Sequence, residues 1–218
     1  QEYASTLVVD DDKLVCDMFC QRIISNRLNM LALACYQSRS VLALFKELYF
    51  DVVICDINMP ELFGDKIIAD VKILSPTTFT IAITGFSMYT AFRAGKCHPD
   101  LFFNKNKGLK SITKTIEKGL ETARERRDHI ISKYLDAGNG EYNPKKWHWR
   151  ERERLKLKLG FSPNKYSILR KKIKAIALNI SKPNMTKEKI SNLSGFSSSQ
   201  RMNESIHQVR DLVNIRKK

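Results

Sequence analysis

Three carboxylates, a hydroxyl and an ammonium group follow short apolar runs in the first half of the chain. Asp10 and Asp11 come after Thr-Leu-Val-Val, Asp56 after Val-Val-Ile-Cys, Thr84 closes Thr-Ile-Ala-Ile-Thr, and Lys105 follows Leu-Phe-Phe-Asn. A β-branched run that leads straight into a carboxylate poses a problem, because a buried charge must be paired, hydrogen-bonded or bound to a metal. A single aspartate there is commonly a helix N-cap, a reading that suits Asp11 or Asp12 taken alone. Three carboxylates converging on one point repel unless a cation joins them. Mg²⁺ is the hard, oxygen-seeking ion that such a set accepts. A carboxylate oxygen left free beside it can attack phosphorus. A lysine and a hydroxyl nearby can bind the oxygens of the transferred phosphoryl group, the protein supplying position and charge neutralisation.

These residues converge only if their elements end at one edge. Short apolar runs alternate with helical patterns through residues 5–130. Strands are expected at Thr6–Val9, Met30–Tyr36, Val52–Cys55, Thr80–Thr84 and Leu101–Phe103. Helices are expected at Leu14–Arg27, Ser40–Tyr49 and Asp65–Leu74, with a short one around Met88–Ala94 and a long one from about Leu109 to Tyr134. Repeated βα units imply an α/β fold, a doubly wound five-stranded parallel sheet. Function then lies beyond the carboxyl ends of the strands, where the five residues sit.

Over residues 5 to about 125 the chain resembles the response-regulator receiver domains of two-component signalling, which are flavodoxin-like. The resemblance is carried by VVDDD, ICDINMP with Gly64 beyond it, AITGFS and LFFNK, in that order and spacing. It implies that Asp56 accepts a phosphoryl group from a sensor histidine kinase, and that Asp10, Asp11 and Asp56 hold Mg²⁺ with the backbone carbonyl of Asn58. It implies the conserved hydroxyl and lysine at Thr84 and Lys105, a switch formed by Thr84 and Phe102, a homodimer through the receiver, and no enzymatic turnover. Phe86 and Asn58 would shield the acyl phosphate from water. One departure stands out: receivers place a proline after the lysine, joined by a cis bond, and here Asn106 follows. A cis bond to a non-proline residue costs roughly 2.5–4 kcal/mol, so a trans bond is expected.

Charge divides the chain. Residues 1–105 carry 10 Lys/Arg and 12 Asp/Glu, whereas residues 106–218 carry 28 and 11. The formal charge of +15 therefore belongs to the second half, which suits a polyanionic partner. All five cysteines lie in the first half, mostly in apolar runs, as in a reduced cytoplasmic protein. No long uncharged apolar stretch suggests a membrane span, and QEYASTLVVDDD does not read as a secretion signal.

The organisation expected is a receiver over 1–122, an extended helix and linker over 123–143, and a basic helical domain over 144–218. Ile130 and Ile131 lie on the extension, where they await another surface. In the basic half, Ser162 and Pro163 open a helix whose stripe is Tyr166, Leu169, Ile173 and Ile176. Thr186 then caps a helix, Gly195 turns the chain, and serines cap a last helix that buries Met202, Ile206 and Val209. Two short helices about a glycine turn form the pattern of a helix-turn-helix. G-F-S-P-x-x-Y followed by L-R-x-x-I, and then K-I-S-x-x-x-G-F-S-S, weakly resemble the AraC-type DNA-binding domain, with the first unit degenerate at WRERERLKLKL. In this reading Gln200, Arg201, Asn203 and Glu204 face base edges of double-stranded DNA, while Arg170, Lys171, Lys172, Lys187 and Lys189 face phosphates. The rival reading is a phosphorylation-controlled adaptor whose basic half binds protein, RNA or an anionic membrane.

Overall fold

The computed structural model describes residues 4–25, 30–85, 98–137, 149–162 and 165–209. Strands β1 (Ala4–Val9), β2 (Met30–Cys35), β3 (Val52–Asp56), β4 (Phe79–Thr84) and β5 (Leu101–Asn104) form one parallel sheet in the order β2-β1-β3-β4-β5. Helices α1 (Lys13–Ser25), α2 (Val41–Glu47), α3 (Gly64–Leu74) and α4 (Leu109–Ala137) connect or follow them. The helix expected at Met88–Ala94 lies outside the described residues, as does Phe86.

Burial explains the strands. Every residue of β1, β3 and β4 is buried, as sheet strands covered on both faces require. Leu7, Val9, Val53, Cys55 and Ala82 face one side with α2 and α3. Val8, Val52, Ile54, Ile81 and Ile83 face the other with α1 and α4. After β1 the chain crosses to β2 on one side, and from β3 onward it builds on the other. The strand order thus reverses between β1 and β3, which opens a crevice beyond their carboxyl ends.

The extension of α4 runs past the receiver as expected, but its apolar residues are already covered. Ile130 and Ile131 pack against Tyr49, Leu155, Leu159 and Phe161, so they do not wait for a second copy of the chain. The covering elements are α5 (Trp149–Leu159) and α6 (Tyr166–Ser181), followed by α7 (Lys187–Ser194) and α8 (Ser199–Ile206). Helix α6 begins at Tyr166, later than its expected opening. The Ser162 carbonyl instead accepts from the Lys165 N–H at 2.8 Å in a turn, and Pro163 lies outside the described residues.

The basic half is docked on the receiver, not held apart from it. Ile173, Ile176, Ile190, Met202, Ile206 and Val209 share one apolar core with Leu33, Val41, Leu44 and Phe45. At the amino ends of the strands, Asp51 is the polar centre of the junction. It accepts from the Ser5 N–H at 2.7 Å and the Ser5 hydroxyl at 3.0 Å, and it pairs with Arg170 at 2.8 Å and Arg127 at 3.4 Å. Arg127 also donates to the Tyr166 hydroxyl at 2.7 Å, and both guanidinium groups lie over the Tyr166 ring. A few residues away, Gly160 has φ +79°, and a Cβ there would overlap the Ser75 backbone. Thr77 donates to the Leu159 carbonyl at 2.9 Å. This corner admits only glycine at a left-handed turn pressed onto another backbone.

Candidate functional site

Asp10 follows β1 and Asp56 ends β3, on the two strands that flank the crevice. Both are buried, whereas Asp11 is exposed. One carboxylate oxygen from each of the three lies within 4.8 Å of the others. Lys105, in the turn after β5, reaches across the sheet: its Nζ is 2.7 Å from Asp10 Oδ2 and 3.2 Å from Asp56 Oδ2. Asp10 is further held by the Asp12 N–H, which donates to Oδ1 at 3.0 Å. Asp12 itself caps α1, accepting from the N–H groups of Leu14 and Val15. The three adjacent aspartates thus divide into one buried member of the cluster, one exposed member and one cap.

Electrostatics follow from burial and pairing. Burial raises the Asp10 carboxyl above its ordinary value, and the hydrogen bond from Lys105 only partly offsets this. Burial would lower the Lys105 ammonium, but its hydrogen bond to Asp10 and the charge of Asp56 outweigh it and hold the group above its ordinary value. Three carboxylates against one ammonium leave the cluster short of positive charge. An all-oxygen donor set with one member open to water fits a divalent hard cation that keeps part of its hydration shell. Asp10, Asp11 and Asp56 are the residues that would hold Mg²⁺, with Asn58, exposed after β3, at the rim.

The remaining expected residues lie on β4, on β5 and in the chain after β3. Thr84 is buried at the end of β4, in register with Asn104. The Ile57 N–H donates to the Ile83 carbonyl at 3.0 Å, which ties the chain after Asp56 to the neighbouring strand. Gly64 leaves space for Asp56, since a Cβ there would overlap the Asp56 carbonyl oxygen. Phe102 is half-buried against the core on the α2 and α3 side. The Lys105–Asn106 bond is trans. The Asn106 N–H is taken by Asn104 Oδ1 at 2.8 Å, and its side-chain amide donates to the Gly85 carbonyl at 3.5 Å.

In the basic half, Thr186 accepts from the Lys189 N–H and Ser198 from the Arg201 N–H, and Gly195 makes a left-handed turn between α7 and α8. Lys187, Lys189, Gln200, Arg201 and Glu204 are exposed, while Lys171 and Asn203 are half-buried. Two of the residues expected at phosphates pair with the receiver. Arg170 is committed to Asp51 and Ser5, and Lys172 to Glu47 at 3.2 Å, because receiver carboxylates supply their counter-charge. Asp51 itself escaped the sequence reading. An aspartate just before a buried strand is a signal, but its partners lie 76 and 119 residues away in sequence. Two of the three arginines of ARERR are likewise specific: Arg127 serves Asp51 and Arg126 serves Asp100.

The comparisons agree with this geometry. The description "Response regulator receiver domain" matches residues 6–117. The chain belongs to the response-regulator receiver family. Its N-terminal part is a signal-receiving domain, a signalling module rather than a catalytic one. The transcriptional regulatory protein ZraR of Salmonella typhimurium is 33% identical over 120 residues, 55% of this chain. The protein of that name from Escherichia coli K12 is 31% identical over 115 residues, 52% of this chain. The chain spans only 27% and 26% of those relatives.

Solved structures share the receiver fold. The signal receiver domain of an HD domain-containing protein from Pseudomonas fluorescens Pf-5 has a TM-score of 0.53 at 18% identity, covering 59% of this chain and 94% of that one. A chain described as adenylate cyclase from Rhodopirellula baltica has a TM-score of 0.51 at 23% identity, covering 62% and 98%. The family match ends at residue 117, before the basic helices. No described helix is long and apolar enough to cross a membrane.

Proposed function

We propose that the protein is a phosphorylation-dependent response regulator that accepts a phosphoryl group on Asp56 and binds double-stranded DNA through its basic helices to control transcription. The observation that carries the first part is Lys105 bridging Asp10 and Asp56 at 2.7 and 3.2 Å, beside an exposed third carboxylate. In this reading an Asp56 oxygen attacks the phosphorus of a phosphohistidine. The phosphorus–nitrogen bond breaks as the acyl phosphate forms, and the histidine nitrogen leaves with the electron pair. Lys105 and the Thr84 hydroxyl bind the transferred oxygens. Mg²⁺, when bound by Asp10, Asp11 and Asp56 with the Asn58 carbonyl, supplies further charge neutralisation.

The second part rests on the excess charge of residues 106–218 and on the exposed Gln200, Arg201 and Glu204 of α8, with Lys187 and Lys189 on α7. Thr186 and Ser198 cap the two helices and Gly195 joins them in a left-handed turn, which supports the helix-turn-helix reading. A titration of duplex DNA with the full chain, with and without acetyl phosphate and Mg²⁺, tests the coupling. The reading predicts that affinity differs between the two states and that the difference disappears in Asp56→Asn. Equal affinity in both states would separate DNA binding from phosphorylation, and absence of binding at low salt would leave the adaptor reading. A homodimer through the receiver belongs to the same proposal. It requires a rise in sedimentation coefficient on phosphorylation, and a monomeric mass in both states would remove it.

A further inference from the structure

Helix α5 carries the densest exposed positive charge among the described elements. Arg150, Arg152, Arg154, Lys156 and Lys158 are all exposed over nine residues. Glu153 is exposed among them and already paired with Lys156 at 3.3 Å. Residues four apart on a helix are neighbours, so 150, 154 and 158 form one row, and 152 and 156 another. Each row places like charges side by side, which weakens the helix when it stands alone. At a rise of about 1.5 Å per residue, the ridge runs roughly 12 Å.

The ridge is firmly seated. Leu155 and Leu159 are fully buried against Tyr49 and Phe161, with Ile130 and Ile131 of α4 packed alongside. Gly160 presses the end of α5 onto Ser75, and Thr77 donates to the Leu159 carbonyl. Helix α6 carries four Lys/Arg, of which Arg170 and Lys172 already neutralise Asp51 and Glu47.

We propose that the outer face of α5 contacts the phosphate backbone of duplex DNA and is the main sequence-independent binding surface of the protein. The inference rests on the reading that the basic half binds DNA, and it moves the phosphate contacts from α6 to α5. A polyanion complements the excess positive charge of the ridge, as phosphates do when they track a fixed row of cations. An amphipathic membrane helix would need a contiguous apolar stripe free for lipid; here Leu155 and Leu159 are buried in the protein, and the exposed Trp149 and Leu157 are separated along their row by the charged Glu153.

The test uses the full chain carrying Arg152→Gln, Arg154→Gln and Lys156→Gln together, titrated by fluorescence anisotropy against a random-sequence duplex at several salt concentrations. Loss of three phosphate contacts should weaken binding more than tenfold at low salt and reduce the slope of log K against log salt by about 2.7. A version with Arg152→Lys and Arg154→Lys should retain most of the affinity. The triple variant should keep its melting temperature within a few degrees and its rate of phosphorylation by acetyl phosphate. If the native chain binds DNA and the triple variant matches it in affinity and slope, the α5 assignment is overturned and DNA binding stands. If the native chain binds no duplex at low salt, the DNA reading falls and the assignment falls with it, whether or not phosphatidylserine vesicles bind.

Discussion

Lys105 holds Asp10 and Asp56 at once, so its ammonium sits where positive charge is most needed before any metal arrives. An ammonium and a divalent cation would then compete for the same carboxylates, while both would favour the proposed transfer of a phosphoryl group to Asp56. Lys105→Met should therefore tighten Mg²⁺ binding, by roughly tenfold at the effective dielectric of a partly buried site, and slow phosphorylation by acetyl phosphate. Calorimetric titration with Mg²⁺ alone, paired with a rate of mass gain, separates the two effects. Weaker Mg²⁺ binding in the variant would mean that Lys105 organises the carboxylates instead of competing for them. At this scale much was legible in the sequence, because Asp10, Asp56, Thr84 and Lys105 each follow an apolar strand. The assignment of Asp12 as the α1 cap was open, since three adjacent aspartates offer the same side chain three times.

At the scale of elements, β4, β5, α3 and α4 are tied together at Asp100, just before β5. The carboxylate accepts from the Thr80 N–H at 2.8 Å, from Arg126 at 2.7 and 3.2 Å, and from Lys72 at 3.1 Å. Burial alone would raise its pKa, but these donors hold it at about 2, against an ordinary 3.8. A carboxyl depressed in the folded state contributes stability above its unfolded pKa and loses it as pH falls. The contribution is about 2 kcal/mol at most, reduced because Arg126 and Lys72 are about a third exposed. Denaturant melts between pH 5 and pH 2 should show a loss between about pH 4 and pH 2 that is smaller in Asp100→Asn. An identical pH profile in the variant would contradict the assignment. The strands were readable because continuous apolar runs have few other uses. The roles of Arg126 and Arg127 were not, because a run of charge on a helix looks the same whether its partner is water or a distant carboxylate.

Across the whole molecule, the basic half is joined to the amino ends of the strands, and the carboxylate cluster lies at their carboxyl ends. Asp51 and Asp56 bracket β3, one facing Arg127 and Arg170, the other facing Lys105. This joint is the part of the architecture that the sequence concealed. Amphipathic stripes such as Tyr166, Leu169, Ile173 and Ile176 reveal a buried face without naming what buries it. Asp51→Asn would leave the buried Arg127 and the partly buried Arg170 without their carboxylate, at a cost of about 3–5 kcal/mol. Gly160→Ala would place a side chain in the left-handed region, at about 1–2 kcal/mol before the overlap with Ser75 is counted. Both should increase hydrogen exchange in α5 and α6 more than in β1 and β3. Exchange that rises evenly through the sheet would instead show that the receiver depends on the docked helices to fold.

The account stands most directly on Asp56 as the phosphoryl acceptor. Intact-mass measurement after incubation with acetyl phosphate and Mg²⁺ should find one phosphoryl group added to the native chain and none to Asp56→Asn. Undiminished labelling of Asp56→Asn, with the group mapped to another residue, would contradict it.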